Sequence, residues 1–504
     1  MPAKKLVIAI GGNAIQPAGE IGADAQRHRL EETAAKLADL VQAGNDLVVT
    51  HGNNAAAIVK KAVELLVKAQ NLIEQEVHPT VIVSGFRQAA AKAQEILEGK
   101  TETVGLEDRN LLLRIAETAM GTKAVMAHRA FLADIAYRAV KAVAQEREAG
   151  WYVDEDDIQV VKKAGGDPTD TELVEGIVLD KERVHAGMPQ RVERAKIALL
   201  NAALEIKKTE VSAEIRIRDP TQMQSFLREE EKILRGFVDA ITAAGANVVI
   251  CQKGIDDLAQ HFLAKEGIYA VRRAKESDMK RLAKATGGRI VSEIRELTAG
   301  ELGTAKEVYE RKIGDDKMTF VTGCKNPRAV SLLLRGGTEH VVEEMERSVE
   351  DALGVVALAI EDGRYVYGGG SIQMELALGL REHAGSVGGR EQLAIEAFAN
   401  ALEVVPRTLA ENAGMDPIDA LIALRQAHKE GKRAVGVDPF QMKAADMTPL
   451  GVVEPVRIPK QTLASATDAA VMLLRIDDVI ASRAPEPTGK GKGPGEVPPA
   501  GEFD

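Results

Sequence analysis

Three glycine-bearing loops are the places in this sequence where the backbone could approach a phosphate group closely. Two of them follow short apolar runs, at residues 11–13 and 51–54, and the third is the run of three glycines at 368–370. Glycine has no Cβ, and the free N–H groups of a loop that opens a helix can bind anions. Because most glycine runs are simply loops, these positions are candidates whose surroundings must decide their role.

The elements that would position these loops change in type along the chain. Strands at 5–10 and 47–50, with an amphipathic helix at 27–43 between them, predict a β-α-β unit. A helical block, an α/β block and a second helical block follow, and their predicted helices include 130–149 and 392–404. This order predicts a multi-domain α and α/β fold, in which one domain is inserted into a helical domain built from both ends of the chain.

The composition excludes several classes of protein. The 504 residues are too many for one ordinary core and predict about two to four domains. A net charge of −11 argues against a nucleic-acid-binding protein, which usually carries a basic stripe. Cys251 and Cys324 lie far apart without CxxC spacing, so we expect a reducing compartment rather than disulfides or a zinc cluster. No apolar run is long enough to predict a membrane span, and the Pro-, Gly- and Lys-rich tail at 485–504 predicts disorder.

Several long strings of the sequence are far more specific than the glycine loops. They include KKAGGDPTDTELVEGIVLDKERVHAGMP at 162–189, GANVVICQKGIDDLAQHFLAKEGIYAVRR at 245–273 and GCKNPRAVSLLLRGGTEHVVEEMERS at 323–348. These strings resemble group II chaperonins, the thermosome and TCP-1 family. The resemblance is collinear from about residue 62 to residue 482.

The resemblance implies a chaperonin architecture and a chaperonin function. It predicts a helical equatorial domain, a hinge-like intermediate domain and an α/β apical domain with a helical lid protrusion. The implied boundaries are 1–54 for an atypical β-α-β segment, 55–141 and 363–484 for the equatorial domain, 142–196 and 336–362 for the intermediate domain, 197–335 for the apical domain with its protrusion near 219–243, and 485–504 for the tail. It also implies ATP and Mg²⁺ as cofactors, unfolded proteins as clients, a ring of like or mixed subunits, and a cytoplasmic location without nucleic-acid or membrane partners.

By resemblance, the nucleotide site of the family falls on four parts of this sequence. Asp351 matches the aspartate that activates the attacking water, and Glu454 matches an acid that contacts the ribose. Lys162 lies near a lysine that senses the γ-phosphate, although a solvated lysine at a strand edge explains it equally well. The other implied nucleotide-binding residues belong to the glycine turn and the phosphate loop: Gly368, Gly369, Gly370, Gly52, Asn53, Asn54 and Ala55.

The phosphate loop departs from the family pattern Gly-Asp-Gly-Thr-Thr-Thr. Asn53 stands at the magnesium aspartate, and alanines at 55–57 replace the threonine hydroxyls. Because an amide lacks the charge of a carboxylate, we assign no metal ligand and predict an impaired ATPase. Backbone-only phosphate binding and the absence of any phosphate role both stay open. Residues 438–443 also depart from the family pattern on the adenine side.

An apolar stripe on the charged helix predicted at 222–243 is the candidate surface for unfolded proteins. A stripe with this spacing is more often part of a core, but the resemblance to the lid protrusion favours client binding. Its members are Met223, Phe226, Leu227, Ile233 and Leu234.

The first fifty or so residues resemble a different family. The strings VIAIGGNAI at 7–15 and VVTHGN at 48–53 resemble the opening of carbamate kinases, of the amino-acid kinase fold, in which two glycine loops hold phosphates and substrate. Three functions are therefore weighed: an ATP-dependent chaperonin subunit, a small-molecule kinase, and a holdase that binds unfolded chains without ATP.

Overall fold

The chain divides into two compact units, each assembled from separate stretches of sequence. A computed structural model describes the backbone of residues 5–10, 46–51, 53–120, 126–148, 150–206, 220–324 and 329–475. It describes side chains from residue 58 onward in these ranges, except at 126 and 220–227. The first unit comprises Met1–Ala90, Arg381–Ala401 and Ala464–Asp504, and the second comprises Ala91–Leu380 and Leu402–Leu463. The predicted equatorial, intermediate and apical boundaries remain predictions.

Helices account for most of the described residues outside the α/β layer. They are α1 (Asn53–Glu74), α2 (Pro79–Glu98), α3 (Arg109–Met120), α4 (Arg129–Val143), α5 (Pro220–Ala243), α6 (Asp257–Lys265), α7 (Glu276–Thr286), α8 (Glu339–Asp362), α9 (Ser371–Val387), α10 (Gly389–Leu402), α11 (Val404–Asn412), α12 (Pro417–Lys429), α13 (Met447–Leu450) and α14 (Arg457–Leu474).

The strands are shorter and lie mostly in the middle of the chain. They are β1 (Lys5–Ile10), β2 (Asp46–His51), β3 (Glu102–Thr103), β4 (Gln145–Arg147), β5 (Gly150–Tyr152), β6 (Ile158–Ala164), β7 (Glu172–Val174), β8 (Gly176–Leu179), β9 (Arg191–Leu200), β10 (Val248–Cys251), β11 (Tyr269–Val271), β12 (Ile290–Val291), β13 (Gly303–Ile313), β14 (Asp316–Cys324), β15 (Val330–Gly336), β16 (Arg364–Tyr367), β17 (Val435–Asp438), β18 (Lys443–Asp446) and β19 (Val453–Pro455).

A seven-stranded sheet forms the centre of the α/β layer in the second unit. Its strands lie in the order β11-β10-β9-β13-β14-β8, and β12 also pairs with β9. One face is covered by α5 and α6, through Leu234, Val238 and Leu263, and the other by α7, through Met279 and Leu282. Alternate residues of a strand point to opposite faces, so the apolar strands supply both cores. The predicted combination of α and α/β structure is confirmed.

A helical core in the same unit positions the candidate site. Helices α3, α4 and α8 share one buried cluster, which includes Leu112, Leu132 and Val356. Val453 of β19 belongs to this cluster as well, so α8 packs against β19. Strand β19 pairs with β16, and β16 pairs with β3, in a three-stranded sheet.

The first unit contains a parallel strand pair. Strands β1 and β2 pair in parallel, with Lys5 opposite Asp46. Parallel neighbours require a crossover connection, which agrees with the predicted β-α-β unit, although the helix predicted at 27–43 lies outside the described residues.

Helices of the first unit pack closely at one glycine and one aromatic pair. A Cβ on Gly85 of α2 would lie 2.4 Å from the Cβ of Ala394 on α10, so glycine allows the two helices to approach. One residue along, the rings of Phe86 and Phe398 meet edge to face with centroids 5.6 Å apart, and both side chains are fully buried.

Two predicted helices end differently because the local backbone overrides the apolar pattern. The helix predicted at 130–149 stops at Val143, since Ala144 is extended (ψ 133°) and the chain enters the β4–β5 hairpin. The helix predicted at 392–404 is two helices, α10 and α11, that meet at Glu403.

Candidate functional site

Most of the predicted nucleotide-binding residues lie in the second unit. Lys162 lies on β6, Asp351 on α8 and Glu454 on β19, while the three glycines connect β16 to α9. Gly52 lies outside the described residues. Asn53, Asn54 and Ala55 form the first turn of α1, and their side chains are not described, so the phosphate loop stays a prediction.

Asp351 is exposed to solvent on helix α8, and both ends of this helix are fixed by caps. Thr338 caps its start by accepting a hydrogen bond from the Val341 N–H at 3.3 Å, and Gly363 ends it in the left-handed conformation, with φ 62°. Ala352, next to Asp351, is fully buried, whereas Asp351 itself is exposed. The helix therefore fixes the position of a solvent-accessible carboxylate.

The turn at Gly368–Gly370 is held by backbone hydrogen bonds on both sides. The Gly368 N–H donates to the Val452 carbonyl at 2.9 Å, and the Gly369 carbonyl accepts from the Val437 N–H at 2.8 Å. Gly369 and Gly370 have φ values of +65° and +79°, a region that favours glycine. The turn thus has one defined conformation.

Packing gives a further reason for glycine at all three positions of this turn. A Cβ on Gly368 would lie 3.0 Å from Val452, and one on Gly369 would lie 2.7 Å from the sulfur of Met447. Each of these positions is filled by protein atoms. The fold therefore favours glycine at these positions, whether or not a ligand approaches the turn.

Glu454 lies beside the glycine turn. It is directly opposite Val366 in the antiparallel pairing of β19 with β16, two residues before the turn begins. Its side chain is half-buried. Because β19 also packs against α8, the structure brings Glu454 close to the turn and its strand against the helix of Asp351.

Lys162 is engaged by an acidic partner on α8. Its Nζ lies 2.7 Å from a carboxylate oxygen of Glu346, and this hydrogen bond raises the pKa of Lys162. Partial burial, followed by the charges of Glu346 and Asp351, raises the pKa of Glu350 in the same region. The lysine therefore contacts the helix that carries Asp351, while its side chain stays 43% exposed on the edge strand β6, and its nucleotide role stays a prediction.

The loop that departs from the family pattern at 438–443 is a tight hairpin between β17 and β18. Asp438 is buried, and its carboxylate accepts hydrogen bonds from the Phe440 and Gln441 N–H groups at 2.9 and 3.1 Å. The Phe440 side chain is 84% exposed. The Asp438 side chain therefore stabilises its own loop.

Comparisons with known proteins agree on one family. A model of the TCP-1/cpn60 chaperonin family matches residues 30–484. This chain belongs to that family. A thermosome subunit of Methanopyrus kandleri is 55% identical over 454 residues, which cover 90% of this chain and 83% of the relative. Thermosome subunit beta of Thermoplasma acidophilum is 53% identical over the same number of residues, with the same coverage.

A solved structure supports the same assignment. The open-state monomer of a group II chaperonin from Methanococcoides burtonii is similar with a TM-score of 0.67 and 43% identity, and the match covers 84% of this chain and all of that one. The predicted group II chaperonin family and fold are confirmed. The chaperonin match begins at residue 30, upstream of the predicted start near residue 62. The resemblance of the first residues to carbamate kinases stays a prediction.

The predicted client-binding stripe requires one correction. Leu234 is 1% exposed and packs with Val238 and Ile241 on the sheet, so it belongs to the core and does not form part of an open client surface. The next residue toward the N-terminus, Ile233, is 37% exposed. The side chains of the other three predicted client-binding residues, at 223, 226 and 227, are not described.

One buried charged cluster was not predicted from the sequence. Glu375 of α9 contacts both His428 of α12 and Lys100, which follows α2. A signal was present, because His428 lies four residues after the buried Leu424, on the apolar face of its helix.

None of the described helices is long and apolar enough to cross a membrane.

Proposed function

We propose that this chaperonin subunit binds unfolded proteins and folds them with ATP as part of an oligomeric ring in the cytoplasm. The observation that carries the proposal is the family match over residues 30–484, which includes both the candidate nucleotide residues of the second unit and the α/β layer. The thermosome relatives are similar over nine-tenths of this chain, which argues for the same kind of activity.

The described residues fit the catalytic half of an ATP site. ATP supplies a γ-phosphoryl group that is transferred to water. The exposed carboxylate of Asp351 would orient that water and accept its proton. The half-buried carboxylate of Glu454 would accept hydrogen bonds from ribose hydroxyls, next to the turn at Gly368–Gly370.

Lys162 can serve such a site only by exchanging partners. Its side chain is 43% exposed in the ion pair with Glu346, and exposed ion pairs contribute only about 0–1 kcal/mol. Replacing Glu346 by a γ-phosphate as the partner of Lys162 therefore costs little free energy. We infer that this pair holds the lysine ready in the absence of nucleotide.

Magnesium has weaker support than ATP. Among the described side chains, no group of three or more His, Cys, Asp or Glu residues is arranged to hold a metal ion. The family's magnesium position is Asn53, whose amide carries no charge. We therefore assign no residue to magnesium.

Steady-state ATP hydrolysis tests the proposal with a matched pair of variants. Asp351→Ala should lower kcat by about 10²–10⁴-fold, the usual contribution of a general base. The control is Glu339→Ala, which removes an exposed acid from the first turn of the same helix and should leave hydrolysis unchanged. Equal hydrolysis by Asp351→Ala and the wild type would refute the role of Asp351.

Assembly and client assays separate the other two functions. We expect a ring-sized particle in light scattering and ATP-stimulated recovery of a denatured client. A monomer whose suppression of client aggregation does not depend on ATP would instead indicate a holdase. Interconversion of carbamoyl phosphate and ATP above background would indicate a kinase, and we expect none.

A further inference from the structure

Lys100, Glu375 and His428 form a largely buried charged cluster close to the glycine turn. One Glu375 carboxylate oxygen lies 2.6 Å from His428 Nδ1, and the other lies 2.5 Å from Lys100 Nζ. His428 Nε2 lies 2.7 Å from the Val435 carbonyl oxygen. The His428 side chain is fully buried, and that of Glu375 is 8% exposed. Each ring nitrogen therefore faces an oxygen acceptor.

The chemistry of these groups decides which atom donates each hydrogen bond. A carbonyl oxygen can only accept, so His428 Nε2 donates to Val435. Burial raises the pKa of Glu375, but the hydrogen bonds from His428 and Lys100 outweigh it, and the net pKa is lowered. The carboxylate is thus ionised at neutral pH. A ring that donates from both nitrogens is the imidazolium, so Glu375 accepts from two cationic groups, His428 and Lys100. Glu375 is fixed by two charge-assisted hydrogen bonds.

These hydrogen bonds join the two elements that hold the glycine turn. Helix α9 begins immediately after the three glycines, and Glu375 lies on its second turn. The Met374 N–H, one residue earlier, donates to the Gly370 carbonyl at 3.1 Å. On the other side, His428 binds the carbonyl of Val435, the first residue of β17. Two residues further, the Val437 N–H donates to the Gly369 carbonyl at 2.8 Å. The turn is therefore held between α9 and β17.

We propose that Glu375 and His428 are positioning residues for ATP binding, because they fix α9 and β17 on either side of the Gly368–Gly370 turn. Neither is assigned a contact with the nucleotide. The inference rests on the proposed ATP-dependent function. Since the turn is bonded to both elements, a small slip between α9 and β17 displaces its backbone, and ligand affinity is sensitive to displacements of this kind.

Ordinary packing would predict a different outcome of mutation. If the cluster only stabilised the fold, His428→Leu would lower the free energy of unfolding, because it removes one partner of the buried Glu375 carboxylate, but it would leave the ATP affinity unchanged. A positioning role requires the hydrogen bond to the Val435 carbonyl. His428→Leu removes both hydrogen bonds, whereas His428→Gln retains one amide donor for that carbonyl.

The test measures the hydrogen exchange of the turn and the affinity for ATP separately. Without nucleotide, hydrogen exchange of the Val437 amide should be at least tenfold faster in His428→Leu than in the wild type. Titration with ATP should show an affinity about tenfold weaker in His428→Leu, partly restored in His428→Gln, and kcat should change less than twofold. The control His340→Leu alters a 98% exposed histidine on α8 and should change neither measurement.

The possible results are distinguishable. Equal ATP affinities of the wild type and His428→Leu would overturn the positioning role alone. If the wild type bound no ATP, the proposed function would fall together with this inference, whatever the exchange rates. Should His428→Leu fail to fold, Glu375→Gln carries the test: it removes the charge but keeps the shape, and it should raise the Val437 exchange rate and the ATP dissociation constant. A Glu375→Gln variant that matched the wild type in both would also refute the proposal.

Discussion

Gly370→Ala should destabilise the second unit because the turn has no room for a methyl group. The added Cβ would lie 2.6 Å from the Cβ of Pro406 and 2.9 Å from its Cα, both parts of a rigid residue on α11. The backbone at Gly370 has φ +79°, which costs an alanine about 1–2 kcal/mol. Overpacking of a filled site costs a further ~1–3 kcal/mol. The free energy of unfolding should therefore fall by about 2–5 kcal/mol.

The matched control is a glycine where nothing crowds the added carbon. Gly236 lies in the exposed middle of α5, and a Cβ added there would meet no atom within 4 Å. Gly236→Ala should raise stability by about 0.5–1 kcal/mol, because alanine is the better helix former. The midpoint of thermal unfolding, measured at one protein concentration, should fall by at least ~2 °C in Gly370→Ala. A Gly370→Ala midpoint equal to that of the wild type would refute the packing argument.

Three further changes test other parts of the molecule. Phe398→Ala removes a fully buried ring that packs against Phe86 and should cost about 3–5 kcal/mol, seen as a lower unfolding midpoint; an unchanged midpoint would contradict the packing. Glu375 has a lowered pKa, so its stabilisation is present above its ordinary value of 4.5 and is lost as pH falls through the lower folded-state pKa. Glu375→Gln should therefore flatten the acid dependence of unfolding below about pH 4.5, and a dependence as steep as that of the wild type would count against it. Asn53→Asp, which restores the family's carboxylate, should increase magnesium-dependent ATP hydrolysis, while the neighbouring change Asn54→Asp should not; equal rates would disprove the assignment of the phosphate loop.

The sequence predicted those features that depend on periodic apolar residues. The alternation of strands and helices in the α/β layer is confirmed because each element buries one face or both. The end of α4 at Val143 was missed, since the extended backbone of Ala144 has no apolar signature. The role of Leu234 was also missed, because one stripe of α5 cannot show by itself which of its residues face the sheet.

The candidate site could be predicted from the sequence less completely than the fold. The family strings made Asp351, Glu454 and the glycine turn candidates, which stay predictions, but they did not explain the glycines. The reason is three-dimensional, since residues near 406, 437 and 452 fill the space that side chains would need. The pairing of Lys162 with Glu346 joins residues that lie far apart in sequence. Such long-range contacts leave no local pattern from which they could be inferred.

The predicted phosphate loop and the glycine turn should fail independently. The turn, Glu454 and Asp351 are held by contacts within the second unit, including the hydrogen bonds from Val437 and to Val452. The altered loop at 52–57 belongs to the first unit. Changes in separate networks usually have additive effects on free energy. A weakened phosphate loop would therefore lower turnover without loosening the glycine turn, so the hydrogen-exchange rate of Val437 should be the same in Asn53→Asp as in the wild type.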